Sequence, residues 1–462
     1  MTASNSPSKV AALSCLLLLA VPACPGGGAE TGETGTGTDT DGMTTDDQPT
    51  GGPTLEEEPP GEVVKSDKPR ITVPDISADE LAEMAADERA FALSLIAALP
   101  VTAGNRAVSP TSIRLAFGQT YAGARTISKS EIETALKFGP DPEKTHAGFN
   151  HVDLELEARN LPSSGENDGD DSVVLTLVNQ VFGRPSVTWE PAFLGELAES
   201  YGAAMHLLDF TDSEPSRMAI NQWVNDVTQD KIPEILPFGA ISAETTTVLI
   251  NALYLKAPWK AAFEGVNEQG TFNLLDASPT TTAMMSGLQE GARHFIGAGY
   301  EAAEVPLRGD ELTMVFIVPD AGTFEQFSGA LDGPALGEIF DALVPTSLNV
   351  TIPRFKFFSD VPLNDPLKAL GLVSSFELGL ADFSGMSPAG KDWAISGVYH
   401  NVFISVDEKG VEAAAATAVV IFDSGGPGPE ASFIADRPFL FAIRDRGTDS
   451  LLFFGSVVDP SK

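Results

Sequence analysis

From Ser77 onward, apolar residues return with helical spacing: Leu81, Met84, Ala85, Phe91, Leu95 and Leu99 form one stripe with the 3.6-residue period of an amphipathic helix. Ser77, with Glu80 three residues on, reads as its capping box. Ser109-Pro110 opens a second helix, with Ser at the cap and Pro in the first helical position. Short helices are predicted at 128–138 and 146–160, and Ser213–Ile232 carries another that includes Trp223. The pattern changes at Ser172–Phe182 (SVVLTLVNQVF), which reads as a strand. Thr245–Lys256 is a strand so nearly apolar that both of its faces should be buried. Strands are also predicted at Thr280–Leu288, Glu301–Leu307, Leu312–Val318 and Leu348–Phe358, with one helical stretch at Phe324–Leu343. Two apolar strands, Phe439–Ile443 and Leu451–Val457, flank the turn Asp445-Arg446-Gly447 near the end. Helices early, strands late and no internal repeat point to an α+β fold, not a doubly wound sheet.

One stretch has no settled preference. DEKGVEAAAATAVVIFDSGG, from Asp407 to Gly426, holds four consecutive alanines, the best helix formers. Yet Val419, Val420, Ile421 and Phe422 suit a pleated surface. Gly410 opens the stretch as a possible pivot, and Gly425 to Pro429 close it as loop. Such a segment is either a slack linker or one that changes state.

Charge narrows the partners. The 462 residues carry a formal net charge of −37, which argues against a phosphate-binding surface, since nucleic-acid affinity needs Lys and Arg. Heparin-like polyanions are excluded on the same ground. Both cysteines lie near the start. Lys9 precedes an apolar run from Val10 to Val21, too short for the about 20 residues that span a bilayer, so residues 1–24 read as a signal peptide. Val21-Pro22-Ala23-Cys24 resembles the lipobox of bacterial lipoproteins, with Cys24 as the lipidated residue; plain cleavage near Ala23 is the alternative. Residues 25–75, rich in Gly, Thr, Asp, Glu and Pro, read as an acidic disordered tether, and 76–462 as the folded domain. The protein is then expected to be exported and lipid-anchored to a bacterial outer membrane or cell surface, or otherwise secreted, and to meet membranes only through that anchor.

Catalytic signatures are missing from the chain: there is no GxSxG elbow, P-loop, HExxH or cysteine-based metal set. His146 and His151 are five apart, the wrong helical spacing for a shared metal. The pair Asp170-Asp171 reads as solvated charge. No catalytic residue, metal site or cofactor is expected.

The informative features resemble one family. Asp407 to Ala418, with Glu408, Gly410, Val411, Glu412, Ala413, Ala414, Ala415, Ala416 and Thr417, looks like the proximal hinge of an inhibitory serpin. Asp436-Arg437-Pro438-Phe439-Leu440-Phe441 and Phe454-Gly455 resemble that family's C-terminal signature. Asn251 to Trp259 resembles the strand ending at the tryptophan of its sheet opening, although Ala257 stands where Gly is usual and Pro258 is odd there. Ser109-Pro110-Thr111-Ser112-Ile113 resembles the helix start beneath its main sheet, and Ile220-Asn221 through Ile232 the helix that crosses the sheet face. These motifs keep the family's order from about Ser77 to Pro460.

The resemblance implies a serpin fold: a large central mixed sheet, further sheets, helices around them and an exposed reactive-centre loop at about 408–431. It implies an inhibitor that is not an enzyme, a monomer whose loop is cleaved by a target serine protease (a cysteine protease being the alternative) and then inserts into the central sheet. Side-chain parity agrees, because strand side chains alternate faces. Val411, Ala413, Ala415, Thr417, Val419 and Ile421 would share one face that carries no charge; a charge there would cost several kcal/mol to bury. Glu412 begins the other face. In the family's register, sixteen positions from Glu408, the cleaved bond is Ser424–Gly425, with Phe422 and Asp423 as alternatives because the loop is extended by Gly and Pro. No Lys or Arg lies between Val411 and Ile434, so the expected target is elastase-, subtilisin- or chymotrypsin-like and not trypsin-like. Ser109, Ser112, Asn251, Trp259 and His400 match the region where the sheet must part; Ser109 as a plain helix cap and His400 as an ordinary core histidine are the bland alternatives. The competing function is a non-inhibitory serpin-fold binding or carrier protein.

Overall fold

The computed structural model describes residues 58–100, 104–165, 170–412 and 429–462. After a short strand β1 (Glu62–Val64), α1 (Ala78–Ala98) begins at the predicted box: the Ser77 hydroxyl accepts from the Glu80 amide and the Glu80 carboxylate from the Ser77 amide. β2 (Arg106–Val108) leads into α2 (Pro110–Gly123), capped by Ser109. α3 (Thr126–Leu136), α4 (Pro142–Glu157), β3 (Val174–Gly183), α5 (Pro191–Tyr201), β4 (Met205–Leu207) and α6 (Ser213–Val227) follow. Strands then dominate: β5 (Thr247–Pro258), β6 (Gly265–Asn273), β7 (Pro279–Gln289), β8 (Arg293–Gly297), β9 (Tyr300–Pro306) and β10 (Leu312–Pro319). Two helices, α7 (Phe324–Ala330) and α8 (Gly333–Ala342), precede β11 (Val344–Pro345), β12 (Leu348–Pro353), β13 (Phe355–Pro362) and the short α9 (Asn364–Ala369). β14 (Tyr399–Val406), β15 (Gly410–Val411), β16 (Ala431–Ile434), β17 (Phe439–Asp445) and β18 (Leu451–Val457) end the chain.

Among the described residues the strands form three sheets. The central one runs β1-β4-β3-β5-β15-β14-β13, the second β11-β8-β9-β10-β17-β18-β2, and the third β16-β12-β7-β6. The fold is α+β.

Several elements differ from the pattern-based reading. The apolar run 348–358 is two strands in two sheets, because the chain changes sheet at Arg354, whose amide donates to Ala283 instead. The stretch 324–343 is two helices, since Asp332 caps the Ala335 amide and starts a new one. β1 lies inside the stretch read as tether; it pairs antiparallel with β4, and its three residues are too few to give a periodic signal. α5, β6 and β14 were not predicted as elements.

Two faces of the central sheet have different neighbours. Leu253, Leu255 and Ala257 of β5 pack into one core with Val402, Ile404 and Val406 of β14. The alternate residues Val248, Ile250 and Ala252 lie against Ile220, Val224 and Val227 of α6. As predicted, β5 is buried on both faces.

Candidate functional site

The middle of the central sheet is incompletely joined. β3 pairs with β5 from Val174↔Lys256 to Gly183↔Thr247, and β13 with β14 from Phe355↔Val406 to Pro362↔Tyr399. β5 and β14 themselves run parallel and meet only at Ala252↔Asn401 and Leu253↔Val402. Toward the Pro258 end of β5 they diverge, and β15 lies between them, with Gly410 opposite Pro258 and Val411 opposite both Ala257 and Val406. The first hinge residues thus already form the start of a central strand.

Specific contacts hold this hinge. The Trp259 amide donates to Lys409 O (2.8 Å), its indole Nε1 to Asp407 O (2.8 Å), and the Phe263 amide to Glu408 O (2.8 Å). Arg354 Nη2 donates to the Glu408 carboxylate at 2.9 Å. Partial burial works against that carboxylate, but main-chain hydrogen bonds and Arg354 outweigh it and hold its pKa below the ordinary value. A Cβ on Gly410 would lie 2.3 Å from Ala257 O and 2.6 Å from Pro258 Cα, so close approach to β5 requires glycine there. Val411 is 2% exposed and belongs to the core beneath the sheet. Glu412 has φ +48°, a left-handed conformation costly for a side-chain-bearing residue, so extended backbone stops at Val411. Its amide still donates to Ser405 O (2.8 Å), and its carboxylate pairs with Lys231, just beyond α6. Burial raises the Glu412 pKa; Lys231, with Lys356 and Lys256 farther off, opposes the shift.

Directly below the last β5–β14 pair lies a buried polar chain. Ser109 N–H donates to His400 Nε2 (2.9 Å), so Nδ1 carries the imidazole proton and donates to Asn251 Oδ1 (3.0 Å). Asn251 Nδ2 in turn donates to Ser112 O (2.6 Å), Ser112 Oγ (2.5 Å) and Asn179 Oδ1 (2.7 Å). Complete burial lowers the His400 pKa to about 3, which keeps the ring neutral and the chain of donors consistent. Side chains from α2, β3, β5 and β14 therefore bridge the seam where main-chain pairing is sparse.

The structure brings Ser109, Ser112, Asn251 and His400 together, and sets Trp259 at the hinge instead. Ser109 also caps α2, its hydroxyl accepting from the Ser112 amide. Ala413, Ala414, Ala415, Ala416, Thr417, Phe422, Asp423, Ser424, Gly425 and Cys24 lie outside the described residues. Sequence reasoning missed Asn179 and Arg354, and placed Lys231 in the motif of the helix that crosses the sheet face without its contact to Glu412. Asn179 had a signal, a polar residue inside the apolar run SVVLTLVNQVF; Arg354 sits far along the chain from the hinge and had none.

Comparison with known proteins adds the family. The model of the serpin (serine protease inhibitor) family matches residues 86–460. The chain is 34% identical over 385 residues to the leukocyte elastase inhibitor of Homo sapiens, covering 80% of this chain and 97% of that protein. It is 32% identical over 359 residues to antithrombin-III of Homo sapiens, covering 76% of each. The crystal structure of a thermophilic serpin, tengpin, in its native state superposes with a TM-score of 0.73 at 25% identity, over 86% of this chain and 97% of that one. Thyroxine-binding globulin in complex with thyroxine shares the fold at a TM-score of 0.70 and 22% identity, over 82% and 100% of the two chains. The chain belongs to the serpin family of serine protease inhibitors.

Proposed function

We propose that this protein is an inhibitory serpin that traps a protease as a covalent acyl-enzyme, its loop inserting into the seam between β5 and β14. The attacking nucleophile and general base belong to the target. Its nucleophile adds to the carbonyl of Ser424 and expels the amine of Gly425, and insertion precedes hydrolysis of the ester.

The observation that carries this is the register of β15. Gly410 faces Pro258, and Val411 faces Ala257 and Val406. Continued along the seam, the same register sets Ala413 opposite Leu255, Ala415 opposite Leu253, and Thr417 between Asn251 and His400. Those two side chains are joined by the 3.0 Å hydrogen bond that parting would break, and a threonine hydroxyl can both donate and accept there. Val419 and Ile421 would meet Leu249 and Thr247 on the core side. On the other face Glu412, Ala414, Ala416, Ala418 and Val420 would lie under α6, matching the small and apolar surface that β5 shows it at Ala252, Ile250 and Val248. β5 ends at Thr247, so Phe422 leaves the sheet and Ser424 clears it by two residues, which suits an acyl link to a bulky protease. The target is elastase-, subtilisin- or chymotrypsin-like.

A carrier reading deserves mention because thyroxine-binding globulin shares the fold. A carrier has no need of an uncharged inward face or of a hydroxyl that fits the Asn251–His400 gap. Export through the signal peptide and anchoring at Cys24 complete the proposal; metabolic lipid labelling that Cys24→Ala abolishes supports the anchor, and unlabelled wild type removes it.

The test is incubation with elastase-, chymotrypsin-, subtilisin- and trypsin-type enzymes, followed by denaturing electrophoresis and mass spectrometry of the cleaved loop. A denaturant-resistant complex with one of the first three, cut at Ser424–Gly425 or at Phe422 or Asp423, supports the reading. Cleavage without any complex throughout the panel refutes it.

A further inference from the structure

Residues 58–76, most of which the sequence reads as tether, lie along the outer edge of the central sheet and then cross two helices. β1 pairs with β4 from Glu62↔Leu207 to Val64↔Met205. Gly61 has φ +109°, and a Cβ there would lie 2.4 Å from Leu207 O, so the entry to this strand requires glycine. Farther on, the Ile71 amide donates to Glu199 O of α5 (2.9 Å) and Lys68 Nζ to the Glu199 carboxylate (2.6 Å). Arg70 donates to Asn150 Oδ1 (3.0 Å) and to Asp153 (2.5 Å) of α4, and Asn150 Nδ2 donates to Ile71 O (2.7 Å). Asn150 is buried, so the segment satisfies a buried amide. Gly202, whose added Cβ would lie 2.8 Å from Arg70 Cδ, leaves room for that side chain.

The body is shaped for this segment, yet no residue of 58–76 is itself buried. A cleft of about 490 Å³ is lined by Lys65, Lys68 and Arg70 together with Ala198, Gly202 and Ala203. The segment is held by hydrogen bonds and ion pairs with little apolar burial, which puts it at the low-stability end of the molecule, where a part can open without unfolding the rest.

What it spans gives it a role. β13 is fastened to the second sheet, the Ala107 amide of β2 donating to Ser359 Oγ (3.4 Å). α1, which the segment enters at Ser77, is fastened to the same sheet through Ala92 and Leu93, which share a core with Val315 and Phe454. Across the seam, β5, β3, β4 and β1 form one paired block. Parting β5 from β14 therefore moves that block relative to the second sheet and α1. Residues 65–76 are the covalent connection between the outermost strand of the block and α1. From β1 to β14 by way of β4, β3 and β5 is four strand spacings, about 19 Å at about 4.8 Å each.

We propose that residues 58–76 form a releasable strap that restrains opening of the β5–β14 seam. This requires only the seam itself, whether or not a protease is trapped there. Its physical basis is an element with two arrangements, seated or released, that biases the sheet at a distance.

The experiment uses the full chain. Wild type is compared with Gly61→Val, which forces a side chain against Leu207 O, with Arg70→Gln, which removes the ion pair to Asp153, and with Lys65→Ser, an exposed position in the same segment. Hydrogen exchange read by mass spectrometry follows the seam (249–255 and 399–404), the fully paired ladder of the second sheet (312–318 and 439–444) and the neighbours of the strap (146–153 and 199–207). Gly61→Val and Arg70→Gln should speed exchange at the seam about tenfold and leave the second-sheet ladder unchanged, while Lys65→Ser should match wild type. Acceleration confined to the neighbours overturns the proposal, because the segment is then local packing and nothing more. Equal acceleration of the seam and the second-sheet ladder overturns it too, since that is loss of global stability. Absence of a wild-type complex with every protease of the panel removes the trapping function alone, because these exchange rates are read without a protease.

Discussion

In the second sheet, β10 lies between β9 and β17 and pairs with both along most of its length, from Leu312↔Asp445 to Ile317↔Leu440 on one side and from Thr313↔Pro306 to Pro319↔Tyr300 on the other. Every residue of β10, β17 and β18 is buried. The central sheet has no such middle. Its two inner strands share two residue pairs, a hinge occupies the gap at one end, and a chain of side-chain hydrogen bonds bridges the rest. Parting β10 from β17 would break a full ladder inside a core. Parting β5 from β14 breaks few main-chain bonds, each worth about 1 kcal/mol net, and an incoming strand would restore them. A single chain thus holds one sheet whose middle strands are fully paired and one whose inner strands are joined at only two residue pairs.

The largest expected effect is at the hinge. Val411→Arg puts a charge into the core shared with Ala257 and Val406, a burial that costs several kcal/mol without a partner. Cleavage of the loop should continue while the denaturant-resistant complex disappears, so the protein becomes a substrate. An unchanged stoichiometry of inhibition would show that trapping does not depend on an uncharged inward face at Val411.

Second comes a pair of substitutions, one in each sheet. Phe454 of β18 is fully buried against α1 and α8, so Phe454→Ala should cost about 3–5 kcal/mol in the native and the loop-cleaved protein alike. Asn251→Ala removes the hub of the seam and strands buried partners on Ser112, Asn179 and His400, a loss of about 1–3 kcal/mol. After cleavage Thr417 would occupy that gap, so the loss should be confined to the native form. Thermal unfolding of both forms decides; an equal drop for Asn251→Ala in native and cleaved protein would place the network outside the moving seam.

How much of this contrast was legible depends on what each strand buries. β10, β17 and β18 are uniformly apolar and were read almost to the residue. β5 was read for the same reason; the hinge was read from its resemblance to the family, and of it the structure places Gly410 and Val411 in the sheet while Ala413 onward lies outside the described residues. β14 escaped because its inward row begins with His400 before Val402, Ile404 and Val406, while Tyr399 and Phe403 sit on the outward row. The polar residue that bridges the seam to Asn251 is the one that blurs the alternation. β6 escaped as a largely exposed strand at the edge of the third sheet. Helix caps were local and clear, but the meeting of Ser109, Asn251 and His400 is a long-range fact that spacing alone does not encode.

Third, acid should loosen the seam. Burial lowers the His400 pKa to about 3 from 6.5. A histidine held neutral contributes stability that is fully present above its unfolded value and is lost as pH falls from 6.5 toward 3, at up to about 1.4 kcal/mol per unit. His146 and His206 are shifted down by burial as well, so the seam is isolated as the difference between wild type and His400→Gln. Native stability of wild type should fall more steeply than that of the variant between pH 6 and 4. Parallel slopes would mean that the imidazole is not the group whose neutrality the seam requires.

The smallest effect has the opposite sign. Burial raises the Glu412 pKa, and Lys231 opposes the shift without cancelling it. A carboxylate with a raised pKa contributes stability below its ordinary value of 4.5 and loses it as pH rises through the shifted value. The bond from the Glu412 amide to Ser405 O should therefore tighten as pH falls through the raised pKa toward 4.5, while the His400 network is weakening. Glu412→Gln removes the titrating group and leaves Lys231, about one-third exposed, free to turn to water, so little native stability should be lost. Hydrogen exchange of the 405–412 peptide, corrected for the intrinsic pH dependence, should slow on acidification in wild type and stay level in the variant. If both stay level, partial burial of Glu412 has no hold on the hinge, and the central sheet's readiness to open resides in the seam below it.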